Sequence, residues 1–241
     1  MNLIIDIGNS LTKLACFEDN KIIELSQQSR LEKKKIYELV ARYNSMNSLI
    51  ISSVQHFAND EYQEIFRQFN KTIFLNYDTE LPIENLYQSK KTLGYDRIAA
   101  VVGANSIFPN QNILVIDAGT AITFDFINSK SQYIGGNISP GLNMRFRALN
   151  NFTGKLPLLS AKENFNLIGN STEEAIISGV QNGMIFEIKS YIYKLKKKYS
   201  DIKVILTGGD SFFFEKSLKN LIFAESNLVL IGLNKILNFN D

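Results

Sequence analysis

Asp6, Gly8, Asn9, Ser10 and Lys13 follow directly on the apolar run Leu3-Ile4-Ile5, and Asp117, Gly119, Thr120 and Thr123 follow in the same manner on Leu114-Val115-Ile116. These residue types in this spacing suit phosphate chemistry. A continuous apolar run reads as a buried central strand, so a carboxylate near its end emerges at the rim of the sheet, beside whatever binds there. The glycines let the backbone turn tightly and aim its N–H groups at an anion. Asn9, Ser10, Thr120 and Thr123 add donors without bulk, Lys13 adds a charge, and Asp6 can hold a divalent cation through water. Aligned without a gap, the two stretches match at Leu3/Leu114, Ile5/Ile116, Asp6/Asp117, Gly8/Gly119 and Thr12/Thr123. One D-x-G turn is as compatible with a plain hairpin. Two gapless copies that share the polar turn as well as the strand point to two similar half-domains.

Further candidates lie between and after the copies. Asp96 and Arg97 follow Gly94 and Tyr95 and precede a run of small apolar residues, 98–104, that reads as a helix. The helix dipole alone favours an acidic residue in a first turn. Held on a rigid helix start with glycine clearance, the same carboxylate can accept a proton from a substrate hydroxyl while Arg97 pairs with an anionic group. Local sequence does not separate these accounts. In the weakly patterned stretch 78–93, Tyr87 combines a ring with a hydrogen-bonding tip, suited to a small substrate or simply to packing. Ser171-Thr172-Glu173-Glu174 is a capping box, which sets Thr172 at a helix N-terminus able to meet a polar ligand. Residues 135–141 form a glycine-rich turn where backbone must approach something closely. Thr207-Gly208-Gly209-Asp210 ends a buried strand in a diglycine turn fit for a nucleotide's sugar or base. His56, the sole histidine, follows Ser52 and Ser53 at a strand end. No G-x-S-x-G elbow frames either serine, so a serine hydrolase is disfavoured and His56 reads as structural or solvent-facing.

Periodicity predicts the elements that must hold these residues. After the first strand come strands at 11–17 and 21–25, a helix at 30–43, a strand at 49–54, a helix at 59–69 and a strand at 72–75, a β-β-β-α-β-α-β order. The second half again opens with three strands, then carries helices at 142–150 and from 172, a strand at 204–207, a helix from 211 and a last strand at 228–231. Gly179 and Gly183, one helical turn apart, make a flat strip suited to a subunit interface. Lys194, Lys196, Lys197 and Lys198 read as a solvated helix end rather than an RNA site. With 45% hydrophobic and 21% charged residues in 241, the composition is that of a soluble globular protein. A net charge of +2 argues for neither nucleic acid nor an acidic membrane. The single cysteine, Cys16, excludes an internal disulfide and a cysteine metal cluster, and reads as core. Asp6 breaks the first apolar run before a signal peptide can form, and no stretch is apolar for long enough to span a bilayer, so the expected compartment is the cytoplasm. Neither a G-x-x-x-x-G-K-[ST] loop nor a G-x-G-x-x-G fingerprint occurs.

With these pieces assembled, the chain resembles the acetate and sugar kinase/heat-shock protein 70/actin superfamily, and within it the type III pantothenate kinase family. That family is marked by a D-x-G-N-[ST]-x-x-K opening, a G-x-D-R box, a D-x-G-T-A-x-T turn and a G-G-x-I-x-P-G segment. All four stand here in that order, at 6–13, 94–97, 117–123 and 135–141. The resemblance implies an α/β fold of duplicated ribonuclease H-like (actin-like ATPase) halves, 1–112 and 113–241, each a mixed five-stranded sheet with helices, with an ATP cleft between them. It implies ATP-dependent phosphorylation of pantothenate to 4′-phosphopantothenate, the first step of coenzyme A biosynthesis, by direct in-line transfer. It assigns the ATP phosphates and Mg²⁺ to Asp6, Ile7, Gly8, Asn9, Ser10, Leu11, Thr12 and Lys13, with Thr120 also at the nucleotide. Asp96 becomes the proton acceptor, and Tyr87, Gly94, Tyr95 and Arg97 line the pantothenate pocket. Thr172 completes that pocket across a homodimer contact, and Asp117 binds a monovalent cation, K⁺ or NH₄⁺. Tyr95 is bulkier than the small or aliphatic residue expected there, and Ser10 replaces the commoner threonine. A superfamily kinase acting on a sugar or acetate would lack the G-x-D-R box. A non-catalytic regulator of this fold would have no need of both Asp6 and Asp96.

Overall fold

Strand β1 (Asn2–Ile7) carries Leu3, Ile4 and Ile5 fully buried, which suits a strand covered on both faces, and it takes the centre of its sheet. Strands β2 (Thr12–Glu18) and β3 (Lys21–Gln28) lie antiparallel on one side of it, and β4 (Ser48–Ser53) and β5 (Lys71–Phe74) parallel on the other, in the order β3-β2-β1-β4-β5. Strand alternation then sorts the side chains. Leu3, Ile5, Leu14, Cys16, Leu49 and Ile51 pack with Ile36 and Leu39 of helix α1 (Lys33–Arg42) and Ile65 of the short α2 (Gln63–Phe66). Burial, and secondarily the charge of Glu24, pushes the Cys16 thiol up to about 12, which leaves it an inert core residue. Ile4, Ala15 and Ile50 face the other way, where helices α3 (Tyr95–Ile107) and α7 (Leu228–Phe239) pack on β1 and β4.

These elements belong to the first of two compact units, made of Met1–Pro109, Ser131–Tyr133 and Asn227–Asp241. The computed structural model describes residues 1–54 and 59–240, so His56 lies outside the described residues. Helix α7 replaces the strand expected at 228–231. Apolar positions continue past Ile231 to Leu237, interrupted by Gly232, Asn234 and Lys235, and Leu230, Leu233, Ile236 and Leu237 recur at helical spacing, all buried. Asn234 fastens it, donating from Nδ2 to the Asp19 carbonyl at 3.0 Å and accepting from Asn2 Nδ2 at 2.8 Å.

Helices α3 and α7 cross with their backbones in contact. A Cβ on Gly232 would stand 1.8 Å from the Ala99 carbonyl oxygen, and one on Gly103 would stand 2.4 Å from that of Leu228. Gly232→Ala is therefore expected to destabilise the protein by about 2–3 kcal/mol, as overpacking does, seen as a lowered denaturation midpoint. Gly154→Ala, whose Cβ meets nothing within 4 Å, serves as the silent control.

The second unit comprises Asn110–Lys130 and Ile134–Ser226. Its strands β7 (Ile113–Ala118), β8 (Ala121–Ile127), β9 (Gln132–Pro140), β10 (Lys203–Thr207) and β11 (Phe223–Ala224) are ordered β9-β8-β7-β10-β11. Strand for strand this repeats the first sheet, so the fold is α/β with duplicated ribonuclease H-like halves. The short β6 (Glu84–Asn85) pairs in parallel with Gln132 and Tyr133, residues of the first unit. Leu114, Ile116 and Phe124 pack on Ile177, Met184 and Ile188 of helix α5 (Thr172–Lys198), joined by Phe146 of α4 (Leu142–Phe152) and Phe214 of α6 (Ser211–Leu218). The capping box starts α5 as its sequence requires: Ser171 Oγ accepts from the Glu174 amide at 3.2 Å. The glycine-rich stretch 135–141 is not a turn. It runs extended as β9 to Pro140, and only Gly141 turns the chain into α4. The helix expected at 59–69 is instead a 3₁₀ turn, Asn59–Tyr62, followed by α2. Among the described residues no helix is long and apolar enough to cross a membrane.

Candidate active site

At the C-terminal end of β1, strand register sets three side chains abreast on one sheet face: Lys13 of β2, Asp6 of β1 and Ser52 of β4. This is the face of Ile4, Ala15 and Ile50, on which α3 packs. The hairpin between β1 and β2 is closed by the Gly8 amide donating to the Leu11 carbonyl at 3.0 Å, with Asn9, Ser10 and Leu11 exposed at its tip. Ile7 and Thr12 pair on the opposite face, and Thr12 is buried, so its hydroxyl points away from Asp6. In the second unit Asp117 pairs with Thr123, one residue sooner than Asp6 pairs with Lys13. The structural counterpart of Thr123 is therefore Lys13, not Thr12 as the gapless alignment has it.

Asp6 Oδ1 and Ser52 Oγ are both sealed from solvent, and neither makes a hydrogen bond of acceptable geometry. Burial, and then the charge of Asp96, pushes the Asp6 carboxyl up to about 6, while Lys13 and the neighbouring Ser52 hydroxyl pull the other way. The carboxylate of Asp96 thus lies within electrostatic reach of Asp6. Its position is set by the start of α3: Arg97 N donates to Asp96 Oδ1 at 2.8 Å, and a Cβ on Gly94 would stand 2.5 Å from that same oxygen. The glycine of the G-x-D-R box leaves room for the carboxylate. Arg97 is buried, its guanidinium 5.5 Å from the centre of the Tyr87 ring, and Tyr87 stacks on Tyr133 at 5.9 Å. Tyr87, Gly94, Asp96 and Arg97 are so gathered at the foot of α3, with Tyr95 half-buried in its first turn.

The second unit repeats the three-abreast pattern as Thr123, Asp117 and Thr207. Thr123 Oγ1 donates to Asp125 Oδ2 at 3.0 Å, and Asp125 is completely buried. With its proton committed there, the Thr123 oxygen presents lone pairs, so it suits a cation beside Asp117 better than a phosphate. Three glycine turns meet here. A Cβ on Gly141 would lie 2.3 Å from the carbonyl oxygens of both Gly119 and Thr120, and one on Gly208 would lie 2.4 Å from Asp117 Oδ1. Gly208 also holds a φ of +97°, open to glycine and strained for other residues. Asp210 N donates to the Ala118 carbonyl at 2.8 Å, and burial pushes the Asp210 carboxyl upward. The P-G segment and the diglycine turn thus brace the second D-x-G turn. Thr172 stands exposed at the start of α5.

The sequence profile of the type III pantothenate kinase family matches residues 2–194. The chain belongs to that family. Type III pantothenate kinases of Phocaeicola vulgatus and Cytophaga hutchinsonii are 48% and 45% identical to it, in alignments covering all of this chain and 99% and 100% of theirs. Among solved structures, a Campylobacter jejuni protein named for the Baf family of transcriptional activators matches with a TM-score of 0.63 at 23% identity, over 99% of this chain and 98% of its own. A glucokinase from an Antarctic psychrotroph matches with a TM-score of 0.52 at 12% identity, over 99% and 98%. At those identities the structures speak for the fold alone, an actin-like kinase fold, and the sequence relatives carry the type III assignment.

Asp125 escaped the sequence reading, and Ser52 was weighed there only beside His56 as a serine-hydrolase candidate. Ser52 interrupts Leu49-Ile50-Ile51 just as Asp6 interrupts Leu3-Ile4-Ile5, a parallel that only strand pairing makes visible. Asp125 is an acid inside the apolar strand β8, a signal that was there to be taken. Among the described residues no three His, Cys, Asp or Glu side chains form a metal cage. Mg²⁺ needs none, since it keeps waters and takes phosphate oxygens beside one or two carboxylates.

Proposed function

We propose that this chain transfers the γ-phosphoryl group of ATP to the primary hydroxyl of pantothenate, the first step of coenzyme A biosynthesis. The observation that carries the reading is Asp96 at the foot of α3, beside Asp6 and flanked by the Arg97–Tyr87 stack, in a chain of this family. Asp96 accepts the hydroxyl proton as that oxygen attacks in line, Arg97 pairs with the acceptor's carboxylate, Tyr87 lies against its chain, and Gly94 and Tyr95 line the pocket. ATP is held by Asp6, Ile7, Gly8, Asn9, Ser10, Leu11, Thr12 and Lys13, with Thr12 restricted to its backbone, and by Thr120. Asp6, the carboxylate at the end of β1 with Lys13 and Ser52 abreast of it, is the residue that would hold Mg²⁺ through water. Bound there, Mg²⁺ would supply neutralisation of charge on the phosphoryl oxygens in transfer. The second rank, with Asp117 and the accepting oxygen of Thr123, supports a monovalent cation, K⁺ or NH₄⁺. No phosphoenzyme is required.

The assay is purified protein with ATP, Mg²⁺, K⁺ and pantothenate, in which ADP release is expected only when pantothenate is present. Release with a sugar instead would make the chain a different superfamily kinase, and none with any acceptor a non-catalytic regulator. Exchanging K⁺ for Na⁺ is expected to lower turnover or weaken ATP binding; indifference would remove Asp117 as a cation ligand.

A homodimer is supported by the exposed apolar surface of the second unit, where Phe152, Ile168 and Phe212 are 88%, 80% and 81% exposed. Gly179 and Gly183 lie on α5 where an added Cβ would meet nothing within 4 Å, and Phe186 and Tyr193 are exposed on the same helix. Thr172, at the start of this helix, is the substrate contact proposed to be supplied across the dimer. We place the enzyme in the cytoplasm, with no nucleic-acid or membrane partner, and take 1–112 and 113–241 as the halves of the duplication.

A further inference from the structure

Arg145 lies one turn into α4, and its fork reaches back across the helix start. Nε donates to the Pro140 carbonyl at 2.8 Å, and Nη2 donates to Ser139 Oγ at 3.0 Å and to Glu187 Oε2 of α5. A cation so near a helix N-terminus works against the dipole, and no acidic residue in the first turn of α4 compensates it. Nor is the arginine needed to attach the helix, since Leu142 and Phe146 already seat α4 in the apolar core. Two of its three bonds go instead to the residues just before Gly141, and the third ties them to α5. Gly141 is where this segment meets the second D-x-G turn. Its amide donates to the Thr120 carbonyl at 3.2 Å, and an added Cβ would lie 2.3 Å from the carbonyl oxygens of Gly119 and Thr120. With backbones so close, the height of residues 139–141 fixes that of the turn. Charge-assisted bonds from a planar fork set position as well as strength.

We propose that Arg145 is a positioning residue for the nucleotide: clamped to Glu187, it holds the Ser139-Pro140-Gly141 segment against the second D-x-G turn and so places Thr120. The proposal rests on the kinase reading in taking Thr120 as a nucleotide contact. Arg145 acts through backbone, without contact to either substrate.

The test is a double-mutant cycle on Arg145→Met and Gly141→Ala. The Kd of a non-hydrolysable ATP analogue is measured by calorimetry well below each variant's melting temperature, and the KM for pantothenate in turnover. Arg145→Met keeps the length of the side chain without its donors. It is expected to weaken analogue binding about tenfold, within the roughly hundredfold that a misplaced group can cost, while the KM for pantothenate holds. Because both changes act through one turn, the double variant should lose little more than the weaker-binding single variant. Wild-type analogue affinity in Arg145→Met, even beside a lowered melting temperature, marks a merely structural arginine and overturns the proposal. So does a double-variant loss equal to the product of the two single losses, or a rise in the KM for pantothenate as large as that in the Kd. Should Gly141→Ala not fold, Glu187→Ala takes its place in the cycle under the same criteria. A wild type that binds no ATP analogue overturns the kinase reading, and this proposal with it.

Discussion

Asp96→Asn is expected to lower kcat by about a thousandfold while leaving affinity for an ATP analogue close to that of wild type. General-base catalysis contributes roughly 10²–10⁴-fold, and the substitution removes the base without removing its scaffold. Asparagine keeps the oxygen that accepts from the Arg97 amide, and Gly94 still leaves room for the side chain, so α3 starts as before. What changes is the loss of a carboxylate able to take a proton. A second readout follows from electrostatics: the Asp96 charge helps to hold the Asp6 carboxyl up near 6, so the variant should titrate Asp6 at lower pH. Loss of nucleotide binding instead of turnover would show that Asp96 belongs to the ATP site and is not the base.

Asp6→Asn is expected to abolish metal-dependent turnover and, in the metal-free protein, to raise stability. Burial and the neighbouring Asp96 charge lift the folded-state pKa from its ordinary value to about 6. Between about pH 4 and 6 the folded chain therefore binds more protons at Asp6 than the unfolded chain does, and stability falls as pH rises through that window. Above it the burden is complete, about 3 kcal/mol at most, since the residue as a whole is only half-buried. Asparagine carries no charge to bury, so the variant's advantage should be near zero at pH 4 and reach a plateau by pH 7. Urea denaturation at several pH values in chelator measures it. A variant less stable than wild type at pH 8 would mean that Asp6 has a structural partner, and the strain attributed to a cation-seeking carboxylate would be gone.

The order β-β-β-α-β-α-β was legible in the first half because each strand there is a short apolar run bounded by polar turns, and because Ile36 and Leu39 keep helical spacing. The last element was misread because four consecutive apolar residues from Leu228 fit strand or helix equally. What decided it was packing: Gly232 lets α7 lie backbone to backbone on α3, a contact between residues far apart in sequence. The same limit governed the site. Asp6, Asp96, Arg97 and Asp117 stand out as candidates in the sequence because each is a chemically distinctive residue at a motif's fixed offset, and Tyr87 stands out only for its ring and hydroxyl. For Ser52 and Thr12 the sequence shows the residue and not its surroundings, because a hydroxyl takes its meaning from the strand face it occupies. A one-residue difference between the two hairpins turned Thr12 into the core and set Lys13 abreast of Asp6. Sequence by itself determined the duplicated half, its acidic turns and the chemistry they suit, since strand period and residue type are local properties. Only the tertiary structure decided which oxygens stand together, because register and burial arise from strands and helices brought together by the fold.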